Sequence, residues 1–359
     1  MRIVLAKNAL SGPLSELAKV INNKSIYPIL ENFLFQVRGG KVWVTTSDNE
    51  TYMTTELQVA ELEGEGDICI PAKNFLEGIR NIAEQPITIQ TNELEIVVSY
   101  TNGEFKMVGQ YAQEFPIPAP LEGNEMSISG KDLTSGINAV LYASANDELR
   151  PIMNGVYFDM RGEELIFVTS DGTRLVACKR KVNTEGMNSF VLPKKPASLI
   201  KAFAENETDI RIKSDGRNAR FTGAGYSLRC RLTEGRFPAW ENVIPKDNPY
   251  SVEVDRLALI SAIKRVSVFS AISGLVKLDI DGSMMKVQGE NPDFSVSAKE
   301  DIPCKFNNTM AIGFKASHLI EMLSNISGES ISLKLSEPSK AGLIENEDMK
   351  MILMPMVLQ

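Results

Sequence analysis

Histidine is nearly absent from this chain, in which His318 is the only one among 359 residues. One imidazole cannot supply a histidine-based metal cluster, and no HExxH segment, CxxC pair or Walker loop occurs. The segment GAGYSL at 223–228 lacks the full dinucleotide-binding fingerprint and stands between predicted strands. TSDGT at 169–173 has no base beside its serine, so a tight turn is predicted there. We therefore expect a protein that is not an enzyme, with no metal and no cofactor.

Cysteine is scarce, and long apolar runs are missing. Four cysteines are scattered without paired spacing, which is typical of free thiols in a reducing compartment: Cys69, Cys178, Cys230 and Cys304. No apolar run approaches the ~20 residues that span a bilayer. The opening MRIVLAKNALSGPLSEL is interrupted by Lys7, Ser11 and Pro13, unlike a secretory signal. These features predict a cytoplasmic protein without a membrane partner.

Basic residues are outnumbered, since 38 lysines and arginines face 46 acidic residues, for a net charge of −8. An acidic balance argues against a nucleic-acid partner unless the basic residues gather on one surface. The length favours two or three domains, because single cores rarely grow past roughly 250 residues. The distribution of charge along the chain therefore matters more than its sum.

The chain contains three copies of one pattern. IPAKNFLEGIRNI (70–82), VLPKKPASLIKAF (191–203) and IGFKASHLIEMLS (312–324) each read as a short strand that continues into a helix, and Lys73, Lys194 and Lys315 recur 121 residues apart. Each copy is preceded by another amphipathic helix and by alternating strand segments with tight turns, and is followed by further strands. This order predicts an α+β fold of three repeated domains, 1–122, 123–246 and 247–359.

The sign of the charge differs between the predicted helices and the predicted strands and turns. Basic residues fall on the helix segments, whereas acidic clusters such as Glu61–Asp67 fall on strands and turns. Repeated modules joined head to tail form a spiral or a ring, and helices that cover one face of the sheets would line its interior. A basic lining with an acidic exterior suits a sleeve around a polyanion. The alternative for each single lysine is a solvated helix face.

Several stretches together resemble the bacterial DNA polymerase III β subunit, the β sliding clamp family, over the whole chain: YPILENFLFQV (27–37), NGVYFD (154–159), TSDGTRL (169–175), EGRFPAW (234–240) and MPM (354–356). The resemblance implies three DNA-clamp domains per chain, with helices lining the inside and antiparallel sheets forming the outside of a ring. It implies a head-to-tail homodimer that encircles double-stranded DNA without reading sequence. The implied role is that of a processivity factor in DNA replication, which tethers the replicative DNA polymerase catalytic subunit and is opened by an ATP-dependent clamp loader.

The resemblance also implies a hydrophobic cleft between the second and third domains, where the polymerase and other clamp-motif proteins insert a short linear motif. Its residues here would be Met153, Ser170, Gly172, Thr173, Arg174, Leu175, Pro238, Asn242, Val243, His318, Leu353, Met354, Pro355 and Met356. Flexible, polarizable methionines suit a groove that accepts several apolar peptides. The family often carries a basic residue where Thr173 and Asn242 stand, so the rim is less positive here.

Two further sets of residues follow from the resemblance. DNA contacts are expected at Lys24, Lys73, Arg150, Lys194 and Lys195, and the dimer seam at Phe105, Val268 and Phe269. For the seam residues, ordinary core packing is the alternative interpretation. For the whole chain, the alternative is a duplicated or ring-opening-prone clamp variant that acts mainly as a partner-binding scaffold or decoy.

Overall fold

The computed structural model describes residues 1–22, 24–205 and 207–358. No helix in these ranges is both long and apolar enough to cross a membrane. The α-helices found there are α1 (Lys7–Leu17), α2 (Ala72–Arg80), α3 (Gly130–Leu141), α4 (Lys194–Ala204), α5 (Arg256–Ser267) and α6 (Ala316–Ser324). Single-turn 3-10 helices span Pro28–Glu31, Ala112–Glu114, Pro151–Met153, Trp240–Val243 and Pro292–Phe294.

The strands fall into three similar series. The first is β1 (Arg2–Ala6), β2 (Asn32–Arg38), β3 (Lys41–Ser47), β4 (Thr51–Leu57), β5 (Glu61–Glu63), β6 (Gly66–Pro71), β7 (Pro86–Asn92), β8 (Glu95–Tyr100), β9 (Gly103–Val108) and β10 (Gln110–Tyr111). The second is β11 (Asn124–Ile128), β12 (Gly155–Met160), β13 (Glu164–Ser170), β14 (Arg174–Lys181), β15 (Phe190–Pro193), β16 (Ile210–Ser214), β17 (Asn218–Thr222) and β18 (Tyr226–Arg231). The third is β19 (Tyr250–Asp255), β20 (Leu275–Asp281), β21 (Met284–Asn291), β22 (Val296–Lys305), β23 (Thr309–Lys315), β24 (Ser330–Leu335), β25 (Gly342–Glu345) and β26 (Met349–Leu353).

The described chain divides into two compact units. Residues 1–134, 185–188 and 195–232 form the first, which holds a five-stranded sheet of order β5-β1-β7-β8-β9 and a nine-stranded sheet of order β10-β6-β2-β3-β4-β18-β17-β16-β11. Residues 135–184, 189–194 and 233–359 form the second, which holds a twelve-stranded sheet of order β15-β12-β13-β14-β26-β25-β24-β19-β22-β21-β20-β23. Neighbouring strands run antiparallel, as in β14–β26 and β18–β4. The α+β prediction is confirmed, while the exact domain boundaries at 122 and 246 stay predictions.

The threefold repeat in the sequence corresponds to a repeated strand-to-helix connection. Strand β6 leads directly into α2, β15 into α4 and β23 into α6. As a result Lys73, Lys194 and Lys315 each lie within two residues of a helix start. The equal spacing of these three lysines therefore reflects an equivalent position at a helix start in each copy.

The cores lie between these helices and their sheets. In α2 the apolar spacing buries Phe75, Leu76 and Ile79, while Lys73 and Arg80 remain exposed. The ring of Phe75 packs edge-on against two phenylalanines of β2, Phe33 and Phe35, with centroids 6.5 and 5.8 Å away. Each fully buried side chain of this size contributes about 1.5–3 kcal/mol, so burial of one helix stripe holds the helix on its sheet.

Candidate partner-binding cleft

A cleft of about 200 Å³ opens on the second unit. One wall is the β13–β14 turn with the start of β14, another is the segment that enters the Trp240–Val243 3-10 helix, and the third is the end of β26. Strands β14 and β26 are adjacent, with Arg174 opposite Leu353 and Leu175 opposite Ile352. The last regular strand of the chain is thereby brought beside a turn about 180 residues earlier in the sequence.

The lining is mostly apolar, with a polar turn at one side. It consists of Met153, Ser170, Gly172, Thr173, Arg174, Leu175, Phe237, Pro238, Ala239, Trp240, Val243, Ile352 and Met354. Val243 and Met354 are 57% and 47% exposed, so apolar side chains are accessible at the opening of the cleft. An open apolar cleft with a few polar groups is the usual form of a ligand or peptide site.

Nine of the residues expected for the cleft line it directly: Met153, Ser170, Gly172, Thr173, Arg174, Leu175, Pro238, Val243 and Met354. Five others lie at its margin. Asn242 is exposed on the 3-10 helix, and Leu353 is buried within the β14–β26 ladder. His318 on α6 places its Nδ1 3.4 Å from Thr173 Oγ1, and Pro355 and Met356 follow Met354.

Sequence reasoning missed four lining residues: Phe237, Ala239, Trp240 and Ile352. Three of them belong to the stretch EGRFPAW, of which the resemblance implies only Pro238 as a cleft residue. Phe237 is buried and stacks on Tyr157 with ring centroids 4.6 Å apart and planes 9° apart. Its ring thus forms part of the floor, a role that no local pattern indicates.

The indole of Trp240 is fixed by a charged cluster. Its Nε1 donates to Asp159 Oδ2 at 2.9 Å, and Arg161 Nη2 donates to the same oxygen at 2.7 Å. Arg161 also pairs with Glu241 at 2.9 Å and lies 5.7 Å from the Trp240 ring centroid. Hydrogen bonds from Arg161 to Asp159 and Glu241 raise the arginine pKa. A buried acceptor satisfied in this way holds the ring in one orientation.

Arg174 is the most highly connected polar residue of the cleft. Its side chain is 7% exposed and donates to Asp171 Oδ2 at 2.9 Å, to Glu321 Oε2 at 2.5 Å and to the Tyr142 carbonyl at 2.9 Å. The guanidinium also lies 5.4 Å from the Tyr142 ring centroid. A buried cation needs such partners. Arg174 therefore holds the turn in place and contributes little free positive charge to the cleft.

Two titratable groups next to the Arg174 side chain have shifted pKa values. Burial by itself would raise the pKa of Asp171, but hydrogen bonds from Thr173 and Arg174 outweigh it and lower that pKa. Burial, reinforced by the Arg174 charge, lowers the pKa of His318. The imidazole is therefore neutral at pH 7 and adds no positive charge to this rim of the cleft.

The turn itself depends on Gly172. Its φ is +91°, a left-handed conformation that favours glycine, and a Cβ there would lie 3.0 Å from Arg150 Nη1. Arg150, expected to contact DNA, is exposed but pairs with Asp147 at 2.8 Å and reaches over this turn. The structure thus brings Arg150 to the edge of the cleft.

The C-terminal segment is held on both sides. Met354 N donates to Thr173 O and Met356 N donates to Gly313 O, each at 2.8 Å, with Pro355 between them. A Cβ on Gly313 would lie 2.7 Å from Leu358 Cδ2, so Leu358 packs closely there. Two separate hydrogen bonds instead of a continuous ladder leave this stretch as a sheet margin, where extended peptides add readily.

The remaining residues expected to contact DNA are exposed. Lys24 follows α1, Lys73 lies in the first turn of α2, and Lys194 begins α4. Lys195 has its Nζ 2.5 Å from Asp48 Oδ2 and 2.6 Å from the Val20 carbonyl. Its charge is thus already partly neutralised.

Of the expected seam residues, Phe105 lies on an edge strand, whereas Val268 and Phe269 follow a helix. Phe105 is on β9, the last strand of the five-stranded sheet, with its ring against Gly78 of α2. Val268 and Phe269, directly after α5, are 76% and 42% exposed. In the described chain β22 pairs with β19 only at Cys304 and Lys305, so residues 296–303 have a partner strand on one side alone.

Comparison with known proteins matches the chain from end to end. Models of the DNA polymerase III beta subunit match its N-terminal domain over residues 1–119, its central domain over 127–239 and its C-terminal domain over 241–357. The Beta sliding clamps of Pseudomonas aeruginosa and Escherichia coli are 25% and 24% identical, each with complete coverage of both chains. A crystal structure of a sliding clamp from Bartonella birtlesii bound to griselimycin superposes with a TM-score of 0.95 at 25% identity, again over all of both chains.

These matches agree with the three repeated modules, the six described helices and the antiparallel sheets. The chain therefore belongs to the DNA polymerase III beta subunit family, the beta sliding clamps, which are non-catalytic processivity factors of DNA polymerase III.

Proposed function

We propose that two copies of this chain form a head-to-tail ring around duplex DNA, and that the cleft tethers the replicative polymerase and other partners through short linear motifs. The mechanism is topological. Electrostatic contact with DNA alone gives a Kd of only ~10⁻⁴–10⁻⁶ M at physiological salt. A closed ring replaces that escape rate with the slower rate of its own opening, while weak phosphate contacts allow sliding.

The observation that carries this proposal is the position of basic residues on the helices. Each described helix has one at its first or second residue, or directly before it: Lys7, Lys73, Lys131, Lys194, Arg256 and Lys315. A cation there opposes the helix dipole, at a cost of about 0.3–1 kcal/mol each. Helix N-termini with added positive charge attract phosphate groups. Repeated six times, this placement supports a DNA-facing role, although Arg256 also donates to the Leu323 and Gly328 carbonyls at the end of α6.

Strand edges support the dimer. The free edge of β9 spans Gly103–Val108, and the open edge of β22 spans residues 296–303. Unpaired edges of this length are usually covered, and two edges of similar length can pair antiparallel or parallel between copies. Phe105 beside one edge and Val268 with Phe269 near the other supply apolar contacts. When two different edges of one chain pair with each other between copies, the contact is head to tail. Such contacts close into a ring when the rotation between successive copies permits.

The cleft supports exchangeable partners. Burial of ~300 Å² of peptide apolar surface at ~25 cal/mol/Å² contributes roughly 7 kcal/mol before ordering costs. The net affinity is then expected to be of micromolar order. A tethered polymerase gains effective concentration at the template without a tighter contact. Griselimycin, bound in the Bartonella clamp crystal, is a suitable competitor for such peptides.

Ring opening requires an external source of energy, so we infer an ATP-dependent clamp loader as a partner, and a cytoplasmic location where DNA replication takes place. All four cysteines are buried and unpaired, consistent with a reducing compartment.

The decisive experiment compares release from two DNA forms. The clamp is loaded onto nicked circular DNA, half of the sample is linearised, and retention is followed by gel filtration. Slow loss from circles and rapid loss after linearisation are expected. Equal rates would overturn the ring mechanism. Light scattering adds a second test: a mass near twice 39.6 kDa is expected, and a mass of 39.6 kDa would contradict the dimer.

A further inference from the structure

Three cations stand side by side across the face of the nine-stranded sheet that points away from its helices. Lys213 on β16 lies opposite Arg220 on β17, which lies opposite Arg229 on β18. Their neighbours along the strands, such as Phe221 and Leu228, are fully buried on the other face. Like charges directly opposite one another destabilise a sheet, so this row needs a reason other than folding.

The row ends in a groove of about 290 Å³ in the first unit. Tyr52 of β4 stands opposite Arg229, and Trp43 of β3 contributes a second half-buried aromatic ring. The segment Pro116–Pro118 forms the other wall and presents Ile117, which is 63% exposed. Arg229 Nη1 donates to the Ala119 carbonyl and so holds this segment over the sheet.

Three acidic residues near the groove are already engaged. Glu56, opposite Trp43, pairs with Lys41 at 3.0 Å, and Asp67 pairs with Arg38. Asp215 accepts hydrogen bonds within its own β16–β17 turn. In the described part of the chain no hydrogen bond or ion pair engages the Arg220 side chain.

The electrostatics of Arg220 agree with this arrangement. Burial, together with the neighbouring Arg229 charge, lowers the Arg220 pKa. A guanidinium held half-buried beside a second cation gains most from an incoming carboxylate, because charge-assisted pairs strengthen as water is excluded.

We propose that this groove is a second protein-binding site, which takes an extended acidic peptide with its carboxylates on Arg220 and Arg229 and a neighbouring aromatic or aliphatic side chain between Trp43 and Ile117. The site is separate from the cleft in residues and in chemistry, since Arg174, the arginine that lines the cleft, is bound to Asp171, Glu321 and the Tyr142 carbonyl. A partner could therefore hold the clamp at two points, with the gain in avidity that a linked pair of contacts gives.

A peptide fits better than a nucleic-acid strand. Single strands bind on exposed aromatic faces along a continuous basic track, whereas Trp43 and Tyr52 are both half-buried. The cations also reach the groove from one side only, and Lys41–Glu56 closes the other side as a neutral pair. Charge complementarity therefore calls for a short acidic segment with an apolar anchor.

The test uses Trp43 as the reporter. The chain has two tryptophans, so a Trp240→Phe variant leaves Trp43 alone. Its emission is titrated with the peptide Gly-Asp-Glu-Phe-Pro-Leu-Gly, with its amide counterpart Gly-Asn-Gln-Phe-Pro-Leu-Gly, and with a ten-residue oligothymidylate. Arg220→Met is compared with Arg217→Met, an exposed arginine of the adjacent turn that loses the same charge. Calorimetry on chains that retain Trp240 repeats the comparison.

We expect saturable binding of the acidic peptide, about tenfold weaker with Arg220→Met and changed less than twofold with Arg217→Met. The amide peptide should bind at least tenfold more weakly. Equal affinity for the acidic and amide peptides, an equal effect of the two substitutions, or tighter binding of oligothymidylate would each overturn the proposal. None of these outcomes bears on escape from circular DNA, so this test and that of the ring fail independently.

Discussion

The guanidinium of Arg174 donates from Nη1 to Oε2 of Glu321 across 2.5 Å, and this contact joins the start of β14 to helix α6. The same guanidinium holds Asp171 and the Tyr142 carbonyl. One buried cation thus fixes the turn that walls the cleft, and the shape of the cleft depends on it.

Replacement of Arg174 by leucine should destabilise the chain by about 3 kcal/mol, because it leaves Asp171 and the Tyr142 carbonyl without their charged donor. Glu321→Gln should cost less than ~1 kcal/mol, since the Glu321 side chain is 48% exposed. Urea unfolding measures both. Equal losses in the free energy of unfolding would mean that the contact with Glu321 provides most of the stabilisation that Arg174 contributes.

Deletion of residues 354–359 should abolish partner-peptide binding and leave the dimer intact. Met354 lines the cleft and its amide bonds Thr173 O, whereas the proposed seam uses other elements. Peptide anisotropy and light scattering report the two properties. Val357→Ser, at a side chain 86% exposed, is the matched control and should bind within twofold of the native chain. Loss of the dimer on deletion would show that the tail is structural.

His318 should titrate below its ordinary pKa of 6.5, because burial and Arg174 disfavour its charged form. With a folded-state pKa below the unfolded value, the unfolded chain binds more protons as the pH falls through about 6.5. Stability should therefore decrease below that pH, and His318→Asn should remove this part of the decrease. Proton NMR of the only histidine in the sequence measures the pKa directly. A midpoint at or above 6.5 would contradict the expectation.

A charge at the proposed seam should separate the dimer. Phe269→Asp places a carboxylate where an apolar contact between copies is proposed, and the expected product is a 39.6 kDa monomer that still binds cleft peptides. Leu257→Asp, at a residue 60% exposed near the start of α5, is the control and should remain dimeric. A Phe269→Asp chain that stays dimeric would place the seam elsewhere.

Charge reversal at a helix start should weaken DNA contact. Lys73→Glu or Lys194→Glu should reduce the magnitude of the log K against log salt slope by about 1 each, as one phosphate contact is lost. Lys340→Glu, in an exposed turn, should leave the slope unchanged. The slope is measured by anisotropy on labelled duplex DNA over a salt series. A slope that changes equally in all three variants would contradict a specific DNA-facing role for the helix starts.

The sequence by itself determined the repeat and its elements. The apolar spacing of Phe75, Leu76 and Ile79, and its counterparts one repeat on, is a local property, since it depends on 3.6 residues per turn and little else. The same regularity placed a lysine at equivalent helix starts and carried the likeness to the clamp family. The family resemblance, and not the repeat itself, implied the nine residues that line the cleft, which come from separate stretches between residues 153 and 354.

Only the tertiary structure decided which side chains meet. Strand β14 pairs with β26, and β18 with β4, across separations of more than 150 residues, and such registers depend on packing that no local pattern encodes. Ile352 enters the cleft, Arg150 reaches over Gly172, and Lys213, Arg220 and Arg229 align in one row for this reason. The sequence pattern assigns basic residues to helices and acidic clusters to strands and turns, and this row of basic residues on strands departs from it. Strand pairing, and not the sequence of any single strand, determines which charges share one face of a sheet.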